Sequence, residues 1–126
     1  MASIFEKRLL SPVARCTATG VVLDIRLPWY RSLPLSTVEV ASLRVDGREI
    51  APERMSFELN GRRFRLTELP ELVNEWWFVT DSAYLHVDDP AVLGEGHAVE
   101  LTLNLYPPYI PGLTWVTRSQ QSLRAA

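Results

Sequence analysis

Apolar and polar residues alternate with a period of two along much of the chain, the pattern of a strand with one buried face. Residues 21–27 and residues 99–105 each place four aliphatic side chains on one side, with mostly polar or charged residues on the other. The alternation predicts antiparallel strands with one face on a core and the other toward solvent.

Two-residue turn signals fix the register of two hairpins. Asp46-Gly47 and Asn60-Gly61 are typical of type I′ turns, in which both central residues need a positive φ. The turns pair Leu43 with Ile50, Arg44 with Glu49, Val45 with Arg48, Phe57 with Phe64, Glu58 with Arg63 and Leu59 with Arg62. Each hairpin then has opposite charges across one face and an apolar pair on the other, which supports the same register.

Helical signals are nearly absent. Residues 67–74 allow a turn or two, because Thr67 is a possible cap and Pro70 is tolerated in a first turn. The spacing of short strands and turns predicts an all-β, antiparallel β-sandwich, jelly-roll-like or an open barrel, over residues 1–113. Residues 114–126 are polar, and we expect this tail to be ordered mainly when it is bound to a partner.

Composition narrows the class of protein. The chain has 126 residues, 47% of them hydrophobic, which suits one core but not two. No run approaches the roughly 18 apolar residues of a membrane span, and Glu6, Lys7 and Arg8 stand where a signal peptide would be apolar. Cys16 is the single cysteine, so no internal disulfide is available. We expect a cytoplasmic protein without a membrane segment.

Charge is divided unevenly along the chain. Residues 1–65 hold 11 basic and 7 acidic residues, whereas residues 66–126 hold 2 basic and 8 acidic residues. The acidic residues are scattered among strand-like positions, which favours pairing across a folded sheet over an acidic tail. A nucleic-acid surface needs a basic stripe, and the sequence contains none. We therefore expect no nucleic-acid partner.

The two histidines are the obvious candidates for a metal site. His86 and His97 would have to lie on adjacent strands and share an ion with Asp88 or Asp89. A metal site needs three or four converging ligands, and the spacing fixes no third one. We expect exposed histidines near strand ends and no metal site on this chain.

Other reactive residues form no recognisable constellation. Glu95 and Glu100 are a conceivable acid–base pair, but two glutamates alone are a weak signal. Cys16 is better explained as a small packed residue than as a nucleophile, and the nucleophile, phosphate-loop and zinc-peptidase motifs are all missing. We predict no catalytic residue on this chain.

Aromatic residues and prolines cluster where strands end. Trp29, Tyr30 and Arg31 are of the types that dominate binding hot spots. Trp76 and Trp77 are adjacent, so on a strand they point to opposite faces and only one enters the core. The candidate partner-interface residues are Trp29, Tyr30, Arg31, Trp76, Trp77, Tyr106, Pro107, Pro108, Tyr109, Ile110 and Pro111. For Trp29 and Tyr30, a role in sealing the end of the sandwich stays equally open.

The order of these segments resembles the small (beta) subunit of bacterial C-glycoside deglycosidases. The resemblance covers roughly residues 4–111, and its strength lies in the ordered set rather than in one motif. It rests on Ile4-Phe5-Glu6, on residues 26–36 with Leu-Pro-Trp-Tyr-Arg-Ser-Leu-Pro-Leu, on residues 45–50, 57–64 and 76–78, and on Tyr106-Pro-Pro-Tyr-Ile-Pro111.

The resemblance implies a β-sandwich subunit that acts with a larger, sugar-isomerase-like TIM-barrel alpha subunit in a hetero-oligomer. The alpha subunit would hold a divalent metal, usually manganese, and the catalytic base. The complex would be a lyase that cleaves the carbon–carbon bond between a 3-oxo-sugar and an aromatic, flavonoid-type aglycone by base-promoted elimination. No catalytic residue transfers to this chain, and we expect the chain alone to be inactive.

A second hypothesis is a stand-alone carbohydrate- or aromatic-ligand-binding sandwich. Trp29, Tyr30 and Tyr109 would then be stacking platforms for a sugar or an aromatic ring. The two hypotheses differ in whether a second polypeptide or a small ligand covers the aromatic residues.

Overall fold

The alternating segments form strands in the computed structural model, which describes residues 10–29, 31–89, 97–122 and 124–125. The strands are β1 (Leu10–Cys16), β2 (Val21–Arg26), β3 (Leu33–Pro34), β4 (Val38–Val45), β5 (Arg48–Glu49), β6 (Met55–Leu59), β7 (Arg62–Arg65), β8 (Trp76–Trp77), β9 (Ser82–Val87), β10 (Ala98–Leu105), β11 (Trp115–Ser122) and β12 (Arg124–Ala125). The expectation of an all-β chain is confirmed.

The strands form two large sheets and one small one. The six-stranded sheet has the order β12-β1-β2-β9-β6-β7, the four-stranded sheet has the order β11-β10-β4-β5, and β3 pairs with β8. These pairings are antiparallel except for β1 with β12, which is parallel. One apolar cluster draws its side chains from both large sheets, so the sheets pack face to face without closing into a barrel.

Both predicted hairpin registers are confirmed. Arg44 pairs with Glu49 across the first turn, and Glu58 pairs with Arg63 across the second. The central turn residues have φ angles of 53° and 82° at Asp46-Gly47 and of 54° and 77° at Asn60-Gly61. Asp and Asn tolerate this left-handed region better than most residues, which explains their place before each glycine.

The helical segment is a short 3-10 helix, Leu66–Glu71, at the place where a turn or two was predicted. Its start is stabilised by Glu68, whose carboxylate accepts a hydrogen bond from the N–H of Arg65 at 3.0 Å. Thr67, the predicted cap, lies inside the helix instead. Two further 3-10 turns, Leu35–Thr37 and Pro52–Arg54, lead into strands.

Strand β8 is shorter than its sequence pattern suggested. The sequence of residues 76–80 predicts one strand, but strand pairing stops after Trp77. The N–H of Asp81 donates to the carbonyl of Phe78 at 2.9 Å, and the N–H of Val79 donates to the hydroxyl of Ser32 at 3.2 Å. These hydrogen bonds pair the backbone N–H groups of Val79 and Asp81 within a turn, so the groups are not used for pairing with a neighbouring strand.

The C-terminal segment differs from the predicted tail. Residues Trp115–Ser122 form β11, which pairs with β10 along its whole length, and β12 then joins the other large sheet beside β1. Thr117 and Ser119 are the buried side chains of this strand. Small polar residues on the inner face hid the alternation, so the sandwich extends beyond residue 113. Whether a partner changes the order of this segment stays a prediction.

We expect Gly20→Ala to destabilise the fold strongly. A Cβ atom at Gly20 would lie 1.7 Å from the carbonyl oxygen of Val87, so β2 and β9 would have to separate locally. We expect a loss of more than about 3 kcal/mol in the free energy of unfolding, measured by urea denaturation. Gly61→Ala is the matched control: it has open space around the Cβ and only a positive φ to oppose it, worth about 1–2 kcal/mol. Equal losses in the two variants would contradict this account.

Candidate functional site

Trp29 closes one end of the core from the loop that follows β2. Its side chain is 5% exposed, and its ring meets Trp115 edge-on with 5.3 Å between centroids. The indole N–H donates to the hydroxyl of Tyr109 at 2.5 Å. Trp29 therefore occupies the sealing position that the sequence left open, and Tyr30 lies outside the described residues.

Tyr109 stands in front of Trp29 and is 45% exposed. The guanidinium carbon of Arg31 lies 5.7 Å from the centre of the Tyr109 ring, within the range of a cation–π contact. The N–H of Ile110 donates to the carbonyl of Pro107 at 3.1 Å, which closes a turn. Of the candidate prolines, Pro107 is buried, and Pro108 and Pro111 are exposed.

Tyr106 begins the same segment, directly after β10, and is partly exposed. Its hydroxyl donates to Glu39 Oε1 at 2.9 Å, and the same oxygen accepts from the side-chain amide of Asn104 at 2.9 Å. The hydrogen bond to Glu39 raises the pKa of the Tyr106 phenol above its ordinary value of 10.0, because a phenolate would face a carboxylate.

Trp76 and Trp77 point to opposite sides, as the alternation predicted. Trp77 is 0% exposed and meets Phe57 edge-on with 5.5 Å between ring centroids, whereas Trp76 is 44% exposed. The indole N–H of Trp77 donates to the carbonyl of Asp81 at 3.0 Å, so its one polar atom is satisfied. Trp77 has no free surface for a partner in this conformation, and Trp76 has.

The segments that carry these residues are joined directly by backbone contacts. Pro34 pairs with Trp76, and the N–H of Leu35 donates to the carbonyl of Glu75 at 2.8 Å. A few residues further on, the N–H of Tyr106 donates to the carbonyl of Thr37 at 2.9 Å. The loop after β2, the β8 region and the segment after β10 therefore lie together at one end of the sandwich.

The large exposed apolar side chains of the described residues all belong to this end or its immediate neighbours. We call the surface the aromatic end; it consists of Val73, Trp76, Phe78, Tyr106, Tyr109, Ile110 and Val116. Sequence reasoning missed Val73, Phe78 and Val116. Phe78 was detectable, because it is two positions from Trp76 and so shares its side; it is 51% exposed.

The described residues at the opposite end of the sandwich carry polar contacts. Thr19 donates to Asp88 at 3.0 Å, Arg48 forms an ion pair with Asp89 at 3.1 Å, and His97 hydrogen-bonds with Asp46 at 2.7 Å. These polar groups are paired with one another within the chain. The contrast in chemistry between the two ends makes the aromatic end the candidate for binding.

The histidines do not meet. His86 lies on β9 of the six-stranded sheet and hydrogen-bonds with Glu58 at 2.6 Å, whereas His97 precedes β10 of the four-stranded sheet. No group of three or more histidine, cysteine or acidic side chains converges within the described residues. The donor sets found there do not fit a divalent metal, which would need at least one further ligand at either pair.

The other candidate reactive groups are also dispersed. Glu100 accepts a hydrogen bond from Gln120 at 2.6 Å, and its proposed pair member Glu95 lies outside the described residues. The backbone of Cys16 ends β1, and its side chain is outside the description. The described part of the chain thus assembles no acid–base or nucleophilic constellation.

Comparison with known proteins shows the family to which the chain belongs. The sequence profile of the C-glycoside deglycosidase beta subunit family matches residues 3–109. The chain belongs to this family. The match confirms the resemblance found in the sequence. The matched residues include Trp29, Trp76, Tyr106 and Tyr109 but not Ile110 or Pro111.

Individual relatives carry the same designation. A C-glycoside deglycosidase beta subunit from Microbacterium trichothecenolyticum is 43% identical over 76% of this chain and 73% of its own length. A 3′-dehydrocarminate deglycosidase beta subunit from a Microbacterium species is 38% identical over 74% and 70%. An Arthrobacter globiformis C-glycoside deglycosidase beta subunit is 39% identical over 70% and 68%. The beta-subunit designation implies a complex with another subunit.

The helical segments of the described residues are short. The longest helical segment there is the six-residue Leu66–Glu71. A helix that crosses a membrane needs about 20 residues, and none in the described part is long and apolar enough.

We expect Asp46→Asn to lower stability near neutral pH but to matter little in acid. The hydrogen bond with His97, helped by the N–H of Ala98, lowers the pKa of Asp46 below 3.8. A carboxylate with a lowered pKa contributes stability above its ordinary pKa and loses it as the pH falls through the folded value. Urea denaturation between neutral pH and about pH 3 measures the difference, with Glu53→Gln as the control. Parallel curves for wild type and Asp46→Asn would contradict the assignment.

We expect Glu39→Gln to lower the pKa of Tyr106 toward its ordinary value, because the hydrogen bond to a charged acceptor is lost. Alkaline titration of phenolate absorbance measures the shift, and Tyr106→Phe identifies which tyrosine gives the signal. An unchanged titration in Glu39→Gln would show that the carboxylate does not hold this phenol.

Proposed function

We propose that this chain is the non-catalytic beta subunit of a heteromeric C-glycoside deglycosidase and binds a larger alpha subunit. The proposed alpha subunit is a sugar-isomerase-like TIM barrel that carries a divalent metal, manganese, and the catalytic base. Family membership over residues 3–109 is the observation that carries the proposal. The beta subunit would act by binding and shaping its partner.

The distribution of polar groups supports a non-catalytic role. Among the described residues, His86 hydrogen-bonds with Glu58 and His97 hydrogen-bonds with Asp46, and the two pairs belong to different sheets. Catalysis requires an acid, a base or a nucleophile positioned around one reacting atom. Groups held in separate pairs on separate sheets do not meet that condition, which supports placing the chemistry on the alpha subunit.

The proposed reaction is an elimination on a 3-oxo C-glycoside. The C3 carbonyl acidifies the C2–H bond, and a base on the alpha subunit removes that proton. The electron pair forms a C1–C2 double bond, the bond from C1 to the aglycone carbon breaks, and that carbon takes up a proton. A divalent metal supplies Lewis acidity toward sugar oxygens when it is bound.

The printed name of one relative supports the proposed substrate class. One relative is named for 3′-dehydrocarminate, a name that contains an oxidised sugar position. It supports a 3-oxo-sugar joined to an aromatic aglycone as the substrate of the complex proposed here. A separate oxidoreductase would have to supply the ketone, because elimination neither creates nor consumes it.

We expect this chain to co-purify with a TIM-barrel protein encoded beside it, and only the pair to release aglycone from a 3-oxo C-glycoside. An obligate complex of this kind buries about 2,000 Å² or more. Co-expression with an affinity tag on one subunit, followed by chromatographic detection of the aglycone, makes the measurement. Full turnover by the isolated barrel would overturn the proposal. So would saturable quenching of tryptophan fluorescence by glycosides in the isolated chain together with failure to bind the barrel.

We expect chelation to abolish turnover by the complex but to leave the melting temperature of the isolated beta subunit unchanged. The metal ligands would belong to the alpha subunit, so removing the metal would not affect the folding of this chain. Thermal unfolding followed by circular dichroism, with and without chelator, separates the two subunits. A chelator-dependent melting temperature in this chain alone would contradict the proposed division of labour.

A further inference from the structure

The aromatic end is built so that one exposed ring is held from inside the core. Tyrosine at a free surface usually turns its hydroxyl to water and its ring toward protein. The hydroxyl of Tyr109 instead accepts the indole N–H of the 5% exposed Trp29, while 45% of the residue is open to solvent. The hydroxyl is thus held toward the core, and the residue keeps a large exposed surface.

Two further contacts limit the motion of this ring. Arg31 lies 5.7 Å from the ring centre, and Trp29 itself is fixed by its edge-on contact with Trp115. The adjoining backbone is closed by the hydrogen bond from Ile110 to Pro107. Contacts of this kind favour a single position of the ring and of the adjoining turn, which reduces the entropy cost of association.

The contact joins two segments that are far apart in the sequence. Trp29 and Tyr109 are 80 positions apart. Trp29 lies in the segment after β2, Tyr109 lies in the segment after β10, and these strands belong to different large sheets. The hydrogen bond therefore links the segment that follows β2 in one sheet to the segment that follows β10 in the other. Sealing the core explains the burial of Trp29, but it does not explain why Tyr109 and Ile110 project beyond it.

We infer that Tyr109 and Ile110 form the anchor with which this chain docks on the alpha subunit, and that Trp29 is the positioning residue that holds the anchor from inside. The inference rests on the proposed function and names its surface. The alpha subunit is the occupant that the family designation implies. Tyr109 and Ile110 suit such a partner because they belong to the end where the described residues expose their large apolar side chains. Tyrosine with a neighbouring arginine is a frequent hot-spot combination in such interfaces.

The test measures the affinity between the tagged beta subunit and its co-expressed barrel partner by biolayer interferometry. Tyr109→Ala and Ile110→Asp should each weaken binding by about tenfold or more, the size of a hot-spot effect. Ala18→Asp is the matched control, because it places the same charge at an exposed position of the polar end. It should bind as the wild type does.

The positioning role has its own pair of variants. Tyr109→Phe removes only the hydroxyl and keeps the exposed ring, and Trp29→Phe removes the donor from the other side. Each should weaken binding several-fold through a slower association rate. Tyr109→Phe leaves the buried volume intact, so it decides the matter if Trp29→Phe fails to fold.

The outcomes separate this inference from the proposed function. Failure of the wild-type chain to bind the barrel overturns the proposed function. Wild-type binding with unchanged affinity in Tyr109→Ala and Ile110→Asp overturns the anchor alone. A stable dimer of the isolated chain that Ile110→Asp dissociates would assign the surface to a second copy and also overturn it.

Discussion

A strand has two faces, and the core between two sheets accepts only one of them. Trp77 is the residue at which this constraint acts most strongly, because its ring fills the centre of the core against Phe57. Once Trp77 is inside, the alternation of the strand places Trp76 outside, and Phe78, directly after the strand, is exposed as well. Part of the apolar surface at this end is thus a consequence of filling a small core with an indole.

The direction of the strands determines where the remaining rings collect. β2 and β10 belong to different sheets, but the segments that follow them meet where Trp29 contacts Tyr109. Prolines end each strand because they cannot donate to a sheet ladder. The same residues that stop the sheets therefore bring the aromatic side chains to one end, while the turns at the other end carry charged pairs.

Local signals in the sequence were sufficient for the hairpins, the alternating strands and the split between Trp76 and Trp77. Each depends on residues near one another in the chain. The edge strand β11 escaped prediction because Thr117 and Ser119 occupy its inner face, where an apolar pattern was sought. The contact between Trp29 and Tyr109 escaped because its partners are 80 positions apart and no short-range rule pairs them.

A chain whose described residues bring no reactive groups together can still contribute to a complex by supplying a surface. Trp29 is buried against Trp115, and its indole N–H donates to the hydroxyl of the exposed Tyr109. Ordering a loop during association costs free energy, and a surface that is already ordered before binding does not incur this cost. A sandwich whose two sheets share one core is therefore a suitable fold for a subunit that is proposed to contribute a binding surface.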